Sequence, residues 1–300
     1  MIYAAISDKG GTGRTVTVAN VAYRLARPDA GRPAQNVCCV DLDLGSPTLG
    51  SVLGLTQYER GAPRGVHDLL AGRLSPERGI RMVIDAWDAW LQEGRNDVPR
   101  HQAGYGDFGL LPGKLDGGDV LFPAVDEAVV ATCRAVLQPL VEEYDIVLLD
   151  LSSGRSVVME MIAHPKLRLP VRWLVHHRWT QQHLVAAEGL VRGKGGLAGL
   201  VPASNIFFVR TAVHAPKGEN GLRDQWIANQ HKKLTRAADK RGLGNLERVL
   251  GSVPADPTLY WDERLILDSE VAGDEETVAE KSTVQEYKKI AQRIYALKAG

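Results

Sequence analysis

The chain has little cysteine: of its 300 residues three are Cys, two of them adjacent (Cys38, Cys39) and the third at Cys133. Three thiols so placed make neither a disulfide framework nor a zinc site, so a reducing compartment, the cytoplasm, is expected. Net charge is also lacking. Lys and Arg number 36 and Asp and Glu 36, so no global basic field argues for nucleic acid or an acidic membrane. No apolar run approaches the ~20 residues that span a membrane, and no signal segment is expected ahead of the first apolar run. Internal repeats and low-complexity tracts are missing too. What remains is a soluble globular composition, 44% hydrophobic and 24% charged.

Within it, short apolar runs alternate with helical patterns, the signature of a parallel sheet covered on both faces. The runs at 2–6, 37–40, 108–111, 146–149, 171–175, 206–209 and 249–253 are nearly continuous in apolar residues, as strands buried on both faces require. Helical patterns fall at 15–26, 81–93, 126–143, 181–191, 223–241 and 283–297, the last opening with Ser282 and Gln285 as a capping box. The alternation favours one α/β domain over 1–300, with 57–107 as a candidate variable insertion. In that insertion Met82, Ile84, Trp87 and Trp90 lie close to one face of the 81–93 pattern, and core packing is the favoured reading. Loops are expected at 58–65 and 215–221.

The chemistry starts directly after the first apolar run. Ser7-Asp8-Lys9-Gly10-Gly11-Thr12-Gly13-Arg14-Thr15 joins a strand to the N-terminus of a helix. Glycines let backbone N–H groups close around an anion, and the helix dipole adds partial positive charge. A phosphate loop of the form G-x-x-x-x-G-K-[ST] places Lys on the β/γ-phosphates and the hydroxyl on Mg²⁺. Here Arg14 stands at the lysine position, while a second cation, Lys9, opens the loop. Acidic partners for Mg²⁺ are expected at strand ends, and two segments supply them: Asp41-Leu42-Asp43, and an apolar run ending in Asp150.

Lys9 to Thr15, running on through Asn20-Val21-Ala22, resembles the deviant Walker A loop of the ParA/MinD class of P-loop ATPases. Asp41-Leu42-Asp43 is similar to that family's D-x-D switch, and Gly65-Val66-His67-Asp68-Leu69-Leu70 to a small motif ahead of its third strand. Leu110 to Gly113 resembles the usual strand ending. Asp150 to Gly154 is similar to its D-x-x-x-G, and Gly251 to Asp256 to its late G-x-[IV]-P-x-D. The resemblance spans nearly the whole chain, and the first loop is its most specific piece. It implies a three-layer α/β sandwich with a mostly parallel sheet of seven or eight strands. It implies nucleotide binding, ATP or another nucleoside triphosphate with Mg²⁺, by Lys9, Gly10, Gly11, Thr12, Gly13, Arg14, Thr15 and Val16, with Pro254 and Asp256 bordering the base. Thr15, Asp41 and Asp150 match the Mg²⁺ side, and Asp43 the carboxylate associated with the attacking water. Lys9 matches the signature lysine that reaches the partner's phosphates across a nucleotide-sandwich homodimer. Family members couple such dimerisation to positioning of plasmids, chromosomes or division proteins through protein partners, and ATP hydrolysis resets the dimer.

The chain departs from the family at two places. Arg14 replaces the P-loop Lys, a variant that resembles a group found in actinobacteria; its planar head holds phosphate differently from a compact ammonium. Arg210 stands where an adenine-reading Asn is common; it is a candidate nucleotide-binding residue that could stack on or donate to a base, but a guanidinium cannot accept from adenine's amino group, so the nucleotide need not be ATP. These departures leave two readings open: a slowly hydrolysing ATPase switch, and a degenerate P-loop scaffold that binds nucleotide without hydrolysis, or not at all, and acts through protein partners. A transferase on the same fold has no substrate contacts to support it.

Other features have ordinary readings. His176 and His177 point to opposite faces of a strand and make a poor metal pair; packing plus exposure is expected. Cys133 reads as a buried thiol. Basic residues at 231–241 and Lys288, Lys289, Arg293 and Lys298 read as solvated helix faces in preference to a DNA-binding surface. The stripe Val284, Tyr287, Ile290, Ile294 and Leu297 reads as a helix docked on the sheet in preference to a membrane tail.

Overall fold

The computed structural model describes residues 1–60, 65–95, 98, 101–115, 125–213, 222–237, 248–271 and 281–299. Among them are eight strands: β1 (Ile2–Ile6), β2 (Val37–Leu42), β3 (Ile84–Asp85), β4 (Phe108–Leu111), β5 (Ile146–Leu151), β6 (Val171–Arg178), β7 (Ile206–Val213) and β8 (Val249–Pro254). The α-helices are α1 (Arg14–Leu25), α2 (Leu49–Val52), α3 (Val66–Leu70), α4 (Ala86–Gln92), α5 (Glu127–Glu143), α6 (Val157–Ala163), α7 (Gln181–Arg192), α8 (Leu197–Leu200), α9 (Leu222–Ala237), α10 (Pro257–Trp261) and α11 (Lys281–Ala299). The strands form one sheet in the order β3-β4-β2-β5-β1-β6-β7-β8. Every neighbouring pair is parallel except β3 with β4.

Period-two alternation divides each strand between two apolar layers. Tyr3 and Ala5 of β1, Cys39 of β2 and Leu148 of β5 face a layer supplied by α1, α2, α4 and α11. Ile2, Ala4 and Ile6, with Val40 and Leu149, face α3, α5, α6 and α7. The result is a three-layer α/β sandwich on a mostly parallel sheet. In this topology the carboxyl ends of β1, β2, β5, β6, β7 and β8 share one edge. The strand order turns at β1, which pairs with both β5 and β6, and ligand sites of open α/β sheets lie at such an edge.

β3, a strand the apolar runs do not signal, lies inside the 81–93 pattern, which is shorter as a helix than expected. Asp85 accepts from Asp88 N and caps α4, so the helix starts at Ala86. The two residues before it pair with β4 instead. Trp87 and Trp90 are buried, 5.5 Å apart edge to face, and pack on Tyr23 and Phe108; each such aromatic pair adds about 0.5–1.5 kcal/mol beyond area burial. Met82 packs against the opposite layer, so the four apolar residues do not share one face. β6 and β7 run three and four residues past their apolar runs, and His176 and His177 are both buried rather than exposed. α11 begins at Lys281, which places Ser282 inside the first turn and not at the cap. Its Tyr287, Ile290 and Ile294 are buried against the sheet. The 215–221 loop lies outside the described residues, as do 61–64 and 238–241.

Candidate phosphate-loop site

β1 ends at Ile6, and the chain turns through the glycines into α1. Gly11 and Gly13 have φ of 67° and 69°, a left-handed conformation that other residues adopt only at a cost. At Gly13, this conformation caps α1 and gives the loop its final turn. Thr211 at the end of β7 donates through Oγ1 to Thr12 O at 2.6 Å, and Gly154 N donates to Ser7 O at 2.7 Å. The loop is thereby tied to β7 on one side and to the segment after β5 on the other.

Two adjoining cavities open at this edge. One, about 490 Å³, is lined by Ser7, Gly10 to Val16, Asp43, Gly45, Ser46, Thr48, Ser152, Ser153 and Glu263. The other, about 510 Å³, is lined by Gly11 to Gly13, Val16, Thr17, Arg178, Thr211, Ala212, Val253 to Pro257, Leu259, Tyr260, Glu263 and Tyr287. They share Gly11, Thr12, Gly13, Val16 and Glu263, and so form one groove. Its polar half suits phosphates, and its more apolar half, walled by α10, suits a base.

The acidic residues divide by environment. Asp41 and Asp150 are register partners on β2 and β5, and both are fully buried. Asp41 accepts from Asp43 N (3.1 Å) and Leu49 N (2.9 Å), which pins the loop after β2. Burial and the neighbouring Asp150 push the Asp41 pKa well above the ordinary carboxylate value. Burial raises Asp150 as well, against the pull of Arg14 and Thr15. Ser152 Oγ accepts from Leu44 N at 3.1 Å and laces the β2 loop to the β5 loop. Gly113 completes the packing there: a Cβ on it would lie 2.2 Å from Pro47 Cβ.

Arg14 is the centre of this polar half. Its Nε donates to Asp150 Oδ1 at 2.5 Å, Nη2 to Asp43 Oδ2 at 2.8 Å, and Nη1 to Ser7 Oγ at 3.2 Å. The residue is 7% exposed. Burial opposes its charge, but Asp150 and Asp43 hold its pKa above the ordinary arginine value. The guanidinium thus lies between two of the carboxylates that the family resemblance assigns to the metal and to water. A divalent ion brought within about 4 Å of it would be repelled by roughly 4 kcal/mol per unit of ionic charge at an effective dielectric of 20. As arranged, the residues do not fit Mg²⁺.

Other sequence-derived candidates are placed as follows. Lys9 is exposed and makes no ion pair with a described residue. Pro254 and Asp256 line the apolar half, and Asp256 caps α10 by accepting from Thr258 N at 2.9 Å. Asn20 bonds Arg264 O and Ile266 N, tying α1 to the segment that carries Glu263. Arg210 lines neither cavity: it stacks 4.8 Å from the Trp179 centroid and meets His231 Nδ1 at 3.2 Å. Strand alternation gives the groove Thr211 in its place. Arg178, Thr211, Tyr260 and Glu263 were not signalled by any motif; they reach the groove only because strands and segments distant in sequence end together. In the C-terminal basic group, Lys288 pairs with Asp268, Lys289 with Glu286 and Lys298 with Asp145, while Arg293 bonds the carbonyls of Val249 and Leu250.

No protein-family model matches the chain, and no curated protein matches it by sequence. Solved structures do. MinD of Pyrococcus horikoshii, a septum site-determining protein complexed with Mg-ADP, is 20% identical over 100% of this chain and 97% of its own, at a TM-score of 0.55. A plasmid partition protein from Borrelia burgdorferi bound to AMPPNP is 15% identical over 99% and 98%, at 0.62. MinD from the MinC:MinD cell division complex of Aquifex aeolicus is 17% identical over 98% and 96%, at 0.60. The chain therefore has the α/β fold of the MinD- and ParA-type P-loop ATPases.

Proposed function

We propose that this chain is a cytoplasmic, nucleotide-dependent dimerising switch of the ParA/MinD type, folded as one P-loop domain over 1–300 with 57–107 as a variable insertion. In this reading ATP, or another nucleoside triphosphate, lies along the groove. Its phosphates rest on Gly10 to Val16, with Pro254 and Asp256 beside the base. A second copy closes over it, and the dimer positions or regulates a cargo through a protein partner. The observation that carries the reading is the pair of adjoining cavities that share the loop glycines, one beside the loop and one reaching α10. Exposed Lys9, next to the cavity-lining Gly10, supports a contact across the dimer. Nucleotides in two of the similar structures, and MinC beside Aquifex MinD, support ligand and partner class.

Arg14 favours a switch that binds without efficient hydrolysis. Asp43 is the carboxylate expected to orient water, and in this structure it is engaged by the guanidinium. Calorimetry with ATP, ADP and GTP, run beside light-scattering measurement of mass, tests the reading. Tight binding with a monomer-to-dimer shift is expected, and absence of binding by any of the three would reject it. Phosphate release measured on wild type and Asp43→Ala tests the second part: near-zero, equal rates are expected. A wild-type rate that Asp43→Ala abolishes would restore the hydrolytic reading.

A further inference from the structure

We infer that the Arg14 guanidinium takes the place of the divalent cation in this chain, so that the phosphate groove holds its ligand without a metal ion. The inference rests on the nucleotide reading for its ligand, but its structural basis is separate. Asp43 and Asp150 come from different strand ends, and in this structure the same side chain bonds both of them, at 2.8 and 2.5 Å. Those two bonds and the one to Ser7 spend three of the guanidinium's five N–H donors. Asp150 keeps its other oxygen, Oδ2, buried and without a hydrogen-bond partner, beside the oxygen that Arg14 holds.

Charge leads to the same place. At the buried end of the groove the Arg14 guanidinium pairs with both the Asp43 and the Asp150 carboxylate. A Lys at position 14 would gather its charge and its three donors on one nitrogen, without the planar fork that lets Nε meet Asp150 while Nη2 meets Asp43. The planar fork meets both at once, as a metal ion does with several ligands. A cation covalently attached to the loop neither dissociates nor competes with solvent ions. The site is therefore expected to be indifferent to Mg²⁺ concentration and to chelators.

The test uses the full chain, wild type and variants. ATP affinity is measured by calorimetry in EDTA and in excess Mg²⁺, and Mn²⁺ uptake without nucleotide is followed by electron paramagnetic resonance. Wild type is expected to bind ATP within about twofold in the two conditions and to take up no Mn²⁺ at millimolar concentration. Arg14→Lys is expected to gain at least about a tenfold preference for ATP with Mg²⁺. Arg14→Ala is expected to take up Mn²⁺, and adding Asp150→Asn to abolish that uptake. Tenfold tighter wild-type binding with Mg²⁺, or stoichiometric wild-type Mn²⁺ uptake lost in Asp150→Asn, would overturn the inference. Failure of both wild type and Arg14→Ala to take up Mn²⁺ would overturn it too, because the freed carboxylates would then be no ion site. If wild type binds no nucleotide in either condition, the nucleotide reading fails and the Mn²⁺ comparison alone decides. Should Arg14→Ala not fold, Arg14→Gln, which removes the charge but keeps a polar side chain, carries the Mn²⁺ arm with the same expected outcome.

Discussion

At the scale of single residues, Arg14 carries more of the local structure than a phosphate ligand needs to. Removing one partner of a buried pair strands the other charge, which costs roughly 3–5 kcal/mol. Arg14→Ala should therefore lose stability in that range, read as a lower urea midpoint. Asp43→Asn, at a position with the side chain 17% exposed, should lose less, about 1 kcal/mol. Equal losses would mean that Asp150 contributes nothing special to the pairing. Lys9 is the opposite case. Because it is exposed and bonds nothing that folding requires, Lys9→Ala should leave the melting temperature and monomer nucleotide affinity unchanged while suppressing the nucleotide-induced dimer. A normal dimer in Lys9→Ala would remove it from the interface. Asn20 shows a residue whose motif was readable and whose contacts were not: its amide bonds a segment more than 240 positions away.

At the scale of elements, helix α10 is the wall of the apolar half of the groove. It is five residues long, capped by Asp256, and ends in Tyr260 and Trp261, the latter 84% exposed. An indole this exposed emits as a hydrated chromophore. A nucleotide base entering beside Tyr260 should quench or shift the Trp261 emission, and Trp261→Phe should remove that change while leaving calorimetric binding in place. Emission that does not respond to saturating nucleotide would place the base elsewhere. β3 and α4 teach a different point. Apolar spacing in 81–93 fits a helix, but Asp85 offers a cap at its centre, and the residues before it gain ladder bonds from β4. The cap and the edge strand win over periodicity because both satisfy backbone groups that a longer helix would have to satisfy by itself.

At the scale of the whole molecule, the buried histidines make the fold acid-sensitive. Burial, the largest cause, lowers the pKa of His176 to about 3 and of His177 to about 4. The unfolded chain takes up these protons near pH 6.5, so their contribution is fully present above that value. It is lost as pH falls, toward about 4 for His177 and about 3 for His176, by up to about 1.4 kcal/mol per pH unit per proton. Urea midpoints measured between pH 7.5 and 4.5 should fall accordingly, and His177→Gln should make the fall shallower. A flat profile would mean that these rings accept protons in the folded state.

The amino-acid sequence alone determined the order of the seven parallel strands and of the long helices α1, α5, α7, α9 and α11, the glycine loop at the end of β1 and the acidic strand ends that face it. These follow from local periodicity and from residue types that few backbone conformations accept. Only the tertiary structure decided what Arg14 does. Its ion-pair partner Asp150 lies 136 positions along the chain, and strand pairing alone brings it within reach. The same holds for Arg210 and Thr211, adjacent in sequence and sent to opposite faces of β7. Sequence lists the charges near a site; which of them meet is set by the register of the sheet.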